Sequence, residues 1–174
     1  MADANGKELG NRHDEHMVKP LQKVKIELAK PAPLPNQPEN FIVGGARWVP
    51  KGNIGAREIA GYLDQPETLW GIEWASQKGT ADRVPFSQIE NRDIEIAQSL
   101  YLVRVDDLQT YKDAWNKLRA SFSYNGNAYD LSVTDPHADR HLQKTPRPGI
   151  LCVSLGEEFN GYCYKIVAAI YWRE

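Results

Sequence analysis

The dipeptide Asn125-Gly126 lies between two runs, residues 117–124 and 127–134, in which apolar and polar side chains alternate. A two-residue hairpin turn of type I′ needs positive φ at both central positions, and asparagine and glycine tolerate it. Such a turn sets the register of the strands it joins. Here it predicts Tyr124 opposite Asn127, Phe122 opposite Tyr129, Ala120 opposite Leu131 and Leu118 opposite Val133. That face is almost wholly apolar and is expected to pack on a core. The other face then carries Lys117, Arg119, Ser121, Asp130, Ser132 and Thr134. A one-sided antiparallel sheet looks like this by default, so a solvated face with cross-strand ion pairs is the plain reading. A cation flanked by hydroxyls on a rigid sheet is also a natural contact for an anion or a nucleotide.

The rest of the C-terminal part reads as strand. Residues 100–105 and 150–155 are apolar runs, 156–161 read as a turn, and 162–172 read as a long closing strand. Residues 110–116 read as a short helix or an irregular connection, and 135–149, with three prolines, as a loop. Upstream, Val24, Ile26 and Leu28 alternate with Lys23, Lys25 and Glu27, the period of a half-buried strand. Four prolines in 30–38 predict an extended polyproline linker. Ala56, Ile59, Ala60 and Leu63 share a helical face, and 64–70, with Pro66 in its first turn, could start a second short helix. Residues 1–17 are too polar to offset their ordering entropy by burial and are expected to be disordered. The expected fold class is mostly β with short helices. The expected parts are a polar tail over 1–20, a first unit with a helical insert over 21–98, and a C-terminal β unit over 99–174.

A formal net charge of −2 excludes a generally basic nucleic-acid binder of the histone type, but not a local basic groove. Cys152 and Cys163 lie in apolar runs and read as buried thiols in a reducing compartment. The polar N-terminus carries no apolar stretch of leader type, and no apolar run approaches the roughly 18 residues of a membrane span, so a cytoplasmic location is expected. Catalytic chemistry finds little support. His13 and His16 are two histidines where zinc wants three or four converging ligands. Cys152 with His137 or His141 would need a lowered thiol pKa that a β-strand does not supply. Glu157 and Asp135 lie on different loops, and Gly156, Glu157, Glu158 and Gly161 lack the spacing of a phosphate loop. The expectation is a binding module with no metal, no cofactor and no enzymatic activity. The cations most suited to a nucleic acid are Lys117 and Arg119 on the hairpin face, Arg140, Lys144 and Arg147 on the proline-containing loop, and Lys165.

Several segments also resemble a known family: LAKPAPLPNQPENFIV, LDQPETLW, DRVP, SLYLVRV, LRASFSYNGNAYDLSVTDP and LCVSLGEEFNGYCYKIVAAI. Together, from about Lys23 to Ile170, they are similar to the dual OB-containing domain family of bacterial proteins. The resemblance implies two OB-like small barrels in tandem and a role in binding single-stranded nucleic acid. Further strands precede this region in the family, where this chain has its polar tail. The first barrel is therefore expected to be incomplete, an open sheet or one completed by a protein partner. A nucleotide-like small molecule and a protein–protein interaction are the alternative ligand classes.

Overall fold

The computed structural model describes residues 1–172 apart from 4, 6–8, 11, 14, 15, 56, 77–79 and 136–141; the side chains of 12, 13, 16, 143 and 144 are also outside the description. Contacts divide the chain into two units, Met1–Tyr62 and Leu63–Glu174. The protein is mostly β: of the described residues, 51% are in strands and 7% in helices.

Among the described residues, the first unit holds three two-stranded antiparallel ladders. These pair β1 (Arg12–His13) with β2 (His16–Met17), β3 (Gln22–Lys25) with β6 (Val49–Asn53), and β4 (Leu28–Pro31) with β5 (Phe41–Val43). The single strand expected over 21–28 is therefore two strands, interrupted at Ile26 and Glu27. The proline segment is partly strand: Pro31 ends β4, where a missing N–H is tolerated on an edge. Leu34 and Gln37 then close a turn through a pair of backbone hydrogen bonds at 3.1 and 3.0 Å. Ala2, at the start of the segment expected to be disordered, is tied to β5. It is 5% exposed, its N–H donates to the Phe41 carbonyl, and its carbonyl accepts from Val43 N–H, both at 2.9 Å. A small residue tied down by main-chain bonds leaves no hydropathy signal. A short 3-10 helix, Glu58–Tyr62, stands where the first helix was expected.

The second unit holds β7 (Arg83–Pro85), the short helix α1 (Phe86–Glu90), β8 (Leu100–Lys112), β9 (Leu118–Tyr124), β10 (Asn127–Val133), β11 (Gln143–Phe159) and β12 (Tyr162–Trp172). Strands β8 to β12 close a barrel in the order β8-β9-β10-β12-β11 and back to β8. Every pairing is antiparallel except β10 with β12, which is parallel and spans only Ser132↔Ile166 and Val133↔Val167. This is the connectivity of the five-stranded Greek-key OB barrel. Beyond the short parallel seam β10 and β12 part, and residues 80–85 fill the gap. β7 pairs with the first half of β12, Lys165 N–H donates to the Asp82 carbonyl at 2.8 Å, and the Thr80 hydroxyl reaches the Asp130 carbonyl at 3.5 Å.

The hairpin register is the expected one, from Asn127↔Tyr124 to Ser132↔Arg119. Asn125 and Gly126 have φ of 48° and 79°, both positive as type I′ requires. Phe122, Ala120, Tyr129 and Leu131 point into a core shared with Val103, Leu108, Leu151, Val153 and Val167. Three local expectations fail. Residues 110–112 continue β8, β11 begins at Gln143 inside the expected loop, and β11 runs through Gly156 to Phe159 by way of an irregularity between Leu155 and Glu158. Long strands that coil around a small barrel need such bulges, and a bulge glycine reads like a turn glycine.

Residues 64–70 form no helix. Trp70 and Gly71 have positive φ, and Leu69 and Trp70 are buried in the barrel core. The segment lies across the end of the barrel that carries the Asn125-Gly126 turn. Tyr124 Oη donates to the Pro66 carbonyl at 2.8 Å, and Asn125 Nδ2 donates to the carbonyls of Pro66 and Glu67 at 3.1 and 3.0 Å. Because Leu69, Trp70, Val84, Ile89 and Ile96 all join that core, the division falls after Tyr62, upstream of the expected 98/99.

Candidate functional site

The outer face of β9 and β10 is organised by Arg119. Its Nε donates to Asp130 Oδ1 at 2.9 Å, its Nη1 to Ser132 Oγ at 2.7 Å, and its Nη2 to the Asp130 carbonyl. Tyr111 Oη, from the neighbouring β8, donates to the second Asp130 oxygen at 2.6 Å. Burial, with the carboxylate beside it, holds the Tyr111 hydroxyl above the usual phenol range. Each guanidinium nitrogen is thus engaged within the sheet, and Arg119 is only 7% exposed. The expected cross-strand array exists, but its cation braces the face and does not project from it. Ser121 and Ser132 are half-buried on that face, and Thr134 sits just past β10, its N–H donating to the Val167 carbonyl at 2.9 Å beside the parallel seam.

The other expected cations are placed as follows. Lys117 is exposed in the β8–β9 turn. Arg147 lies on β11 with its guanidinium 4.3 Å from the centre of the Trp172 ring. Lys165 is 2% exposed; its Nζ donates to the Gly71 carbonyl at 2.6 Å and lies 5.7 Å from the centre of the Tyr129 ring. Burial lowers its pKa to about 8, against the attraction of Asp82 and Glu73. Lys165 therefore fastens the 64–71 segment from inside, which corrects its placement as a surface contact. It follows Cys163 on the inward side of β12, a position where strand periodicity marks a core residue and charge argues otherwise. Arg140, His137 and His141 lie outside the described residues, as does the side chain of Lys144.

A groove of about 310 Å³ opens between this face and the start of β12. Its walls are Arg119 and Ser132 on one side, Phe159, Tyr164 and Ile166 on the other, with Asp82 and Lys165 between. Phe159 is 65% exposed, and its ring centre is 6.5 Å from that of Tyr164, which in turn is 6.3 Å from that of Tyr162. Arg83 stacks over Tyr162 at 4.5 Å. At the far end of β9, the β8–β9 turn holds Trp115 out to solvent, 73% exposed. That turn is stiff. Asp113 Oδ1 accepts from the N–H groups of Trp115 and Lys117 at 2.9 and 3.0 Å, and Asn116 takes φ of 61°.

Tyr124 and Tyr129, on the apolar hairpin face, are core residues whose hydroxyls hold the 64–71 segment, Tyr129 accepting from Leu69 N–H at 3.3 Å. The exposed ring is that of Phe159, with the half-buried Tyr164 beside it. The signal for them was a second Asn-Gly dipeptide. Asn160 and Gly161, with φ of 52° and 82°, form a hairpin turn flanked by the Phe159↔Tyr162 pair. Cys152 and Cys163 are free thiols, and burial raises both to about 11, so neither is an activated nucleophile. Among the described residues, no group of three His, Cys, Asp or Glu side chains is placed to hold a metal ion, and no helix is long and apolar enough to cross a membrane.

OB barrels bind oligonucleotides and oligosaccharides on the face of their second and third strands, between the loops that follow strands one and four. In this barrel those elements are β9 and β10, the Trp115 turn and the Asn160-Gly161 turn. Fold and groove together make the chain a binding module. No curated protein and no solved structure matches it. The profile of the dual OB-containing domain covers residues 5–170, including most of the polar segment that the resemblance had left out. With the closed barrel of that connectivity and a match over nearly its whole length, the chain belongs to the dual OB-containing domain family.

Proposed function

We propose that the second unit binds single-stranded nucleic acid, and that it does so chiefly by stacking bases. The observation that carries this reading is the groove joining the β9–β10 face to the exposed ring of Phe159 and the half-buried ring of Tyr164. An exposed aromatic ring on a rigid strand end is a sequence-tolerant platform, because every base has a π-face. Trp115, held out by its stiff turn, offers a second platform at the other end of β9. With Arg119 and Lys165 engaged internally, Lys117 and Arg147 are the candidate cations left for phosphate among those described. Each phosphate contact adds about −0.7 to the log–log salt slope for a single strand. Two contacts give a slope near −1.4, shallow for a nucleic-acid binder.

The deciding measurement is fluorescence anisotropy of the full chain with a labelled thymine oligonucleotide at several salt concentrations. Binding with a shallow slope is expected, and Phe159→Ala is expected to weaken it on the order of tenfold, the worth of one stacked base. Absence of binding at about 20 mM salt, where screening is weak, would overturn the reading. A groove of this volume also suits one free nucleotide. If a mononucleotide saturates the site and a strand binds no tighter, the ligand is the small molecule.

A further inference from the structure

The groove has a polarity that the stacking platform alone does not explain. Its guanidinium donates inward to Asp130 and Ser132, and its ammonium donates to Gly71. The remaining polar groups of its lining are the hydroxyl of Ser132 and the carboxylate of Asp82, whose side chain is 13% exposed and whose Oδ1 lies 3.9 Å from Arg83 Nε in an ion pair. Asp82 is held in orientation, since its Oδ1 accepts from Ser76 N–H at 3.0 Å and its own carbonyl accepts from Lys165 N–H at 2.8 Å. An ionised carboxylate only accepts hydrogen bonds. It rewards a ring whose edge carries N–H donors. Phe159 and Tyr164 line the groove with it.

We propose that Asp82 reads the hydrogen-bond donors of the stacked base, and that the groove selects guanine. Guanine carries two adjacent donors, the ring N1–H and the exocyclic N2 amine, on one edge. A carboxylate meets such a pair with both oxygens, the geometry that makes two-pronged contacts strong. Adenine and cytosine offer one amine flanked by an acceptor, which a carboxylate disfavours, and thymine offers one imide N–H between two carbonyls. Ser132 Oγ, already an acceptor for Arg119, keeps its own proton to donate to the base carbonyl. This inference rests on the single-strand reading above and names the base at its centre.

The test compares thymine oligonucleotides of one length that differ at a single central position, binding to the full chain. Guanine there should bind about tenfold tighter than inosine, which lacks only the N2 amine; a good two-pronged base contact discriminates by about that much or more. Adenine should bind like inosine or worse. Asp82→Asn should abolish the guanine–inosine difference, since the amide offers one acceptor and one donor where the carboxylate offered two acceptors. The guanine–inosine comparison on the unmodified protein needs no variant and stands even if Asp82→Asn fails to fold. Equal affinity for guanine and inosine, with Phe159→Ala still weakening both, overturns the Asp82 assignment and leaves the stacking reading intact. No binding of any strand overturns both.

Discussion

Lys165 gives the protein an unusual pH response. Its pKa is about 8 in the fold against 10.5 for an ordinary lysine. Between those values the unfolded chain holds a proton that the folded chain has lost, so stability rises with pH, at most by about 1.4 kcal/mol per unit. Cys152 and Cys163 act the other way. Each thiol ionises near 9 when unfolded and only near 11 when folded, so above pH 9 the unfolded chain loses protons first and stability falls. The prediction is a shallow stability maximum near pH 9, about 0.3 kcal/mol above the value at pH 8 because the two thiols offset most of the rise from Lys165, read from urea midpoints at each pH. Lys165→Met should remove the rise and keep the fall. Arg119 yields a second residue-scale prediction. Arg119→Ala leaves Asp130 without its guanidinium in a mostly buried network, and breaking such a pair costs about 3 kcal/mol. A clear loss in the urea midpoint is expected, whatever happens to ligand binding. A variant of normal stability would mean that the sheet does not depend on this brace.

Among elements, the two Asn-Gly hairpins differ in a testable way. Both asparagines have positive φ, and a β-branched residue there costs about 1–2 kcal/mol. Asn125 in addition donates to Pro66 and Glu67, whereas Asn160 has only its turn to hold among the bonds described. Asn125→Val is therefore expected to destabilise more than Asn160→Val by about 1 kcal/mol or more, measured at unchanged m-value. Equal losses would mean that the 64–71 segment draws nothing from Asn125. Hairpin geometry was legible in the sequence because it is local: turn chemistry and period-2 alternation meet in one stretch. The length of β8 and β11 was not. Strand residues 106–112 and 143–149 are polar or proline-containing, and they are strands because barrel neighbours satisfy their backbone, as in Gln143↔Thr110 and Arg147↔Leu108. The Phe159 platform shares this history, since the bulge in β11 mimics a turn and hides the true one at Asn160-Gly161.

For the molecule as a whole, the division after Tyr62 leads to a prediction about autonomy. Residues 63–174 contain the closed barrel, the segment that covers its end and the core cluster. Expressed alone, they are expected to unfold in one cooperative transition, seen as coincident far-UV and fluorescence curves. A fragment starting at residue 99 lacks Leu69, Trp70, Val84, Ile89 and Ile96 and is expected to lose that cooperativity. If the shorter fragment folds equally well, residues 63–98 are not part of the barrel's cooperative unit.

The sequence by itself determined the β class, the C-terminal hairpin with its register, and the closing strand. Each follows from forces that act between near neighbours: positive φ at Asn-Gly, alternating burial, and an apolar run bounded by glycine. Tertiary structure alone decided the roles of the charged residues. Nothing local distinguishes Arg119, which is tied to Asp130 and Ser132, or Lys165, which is buried against Tyr129 and Gly71, from Lys117, which is exposed. Whether a cation faces solvent depends on which carbonyls and carboxylates the barrel brings within about 3 Å of it. That depends on closure through the two-residue parallel seam of β10 and β12, a contact between strands more than thirty residues apart in the chain.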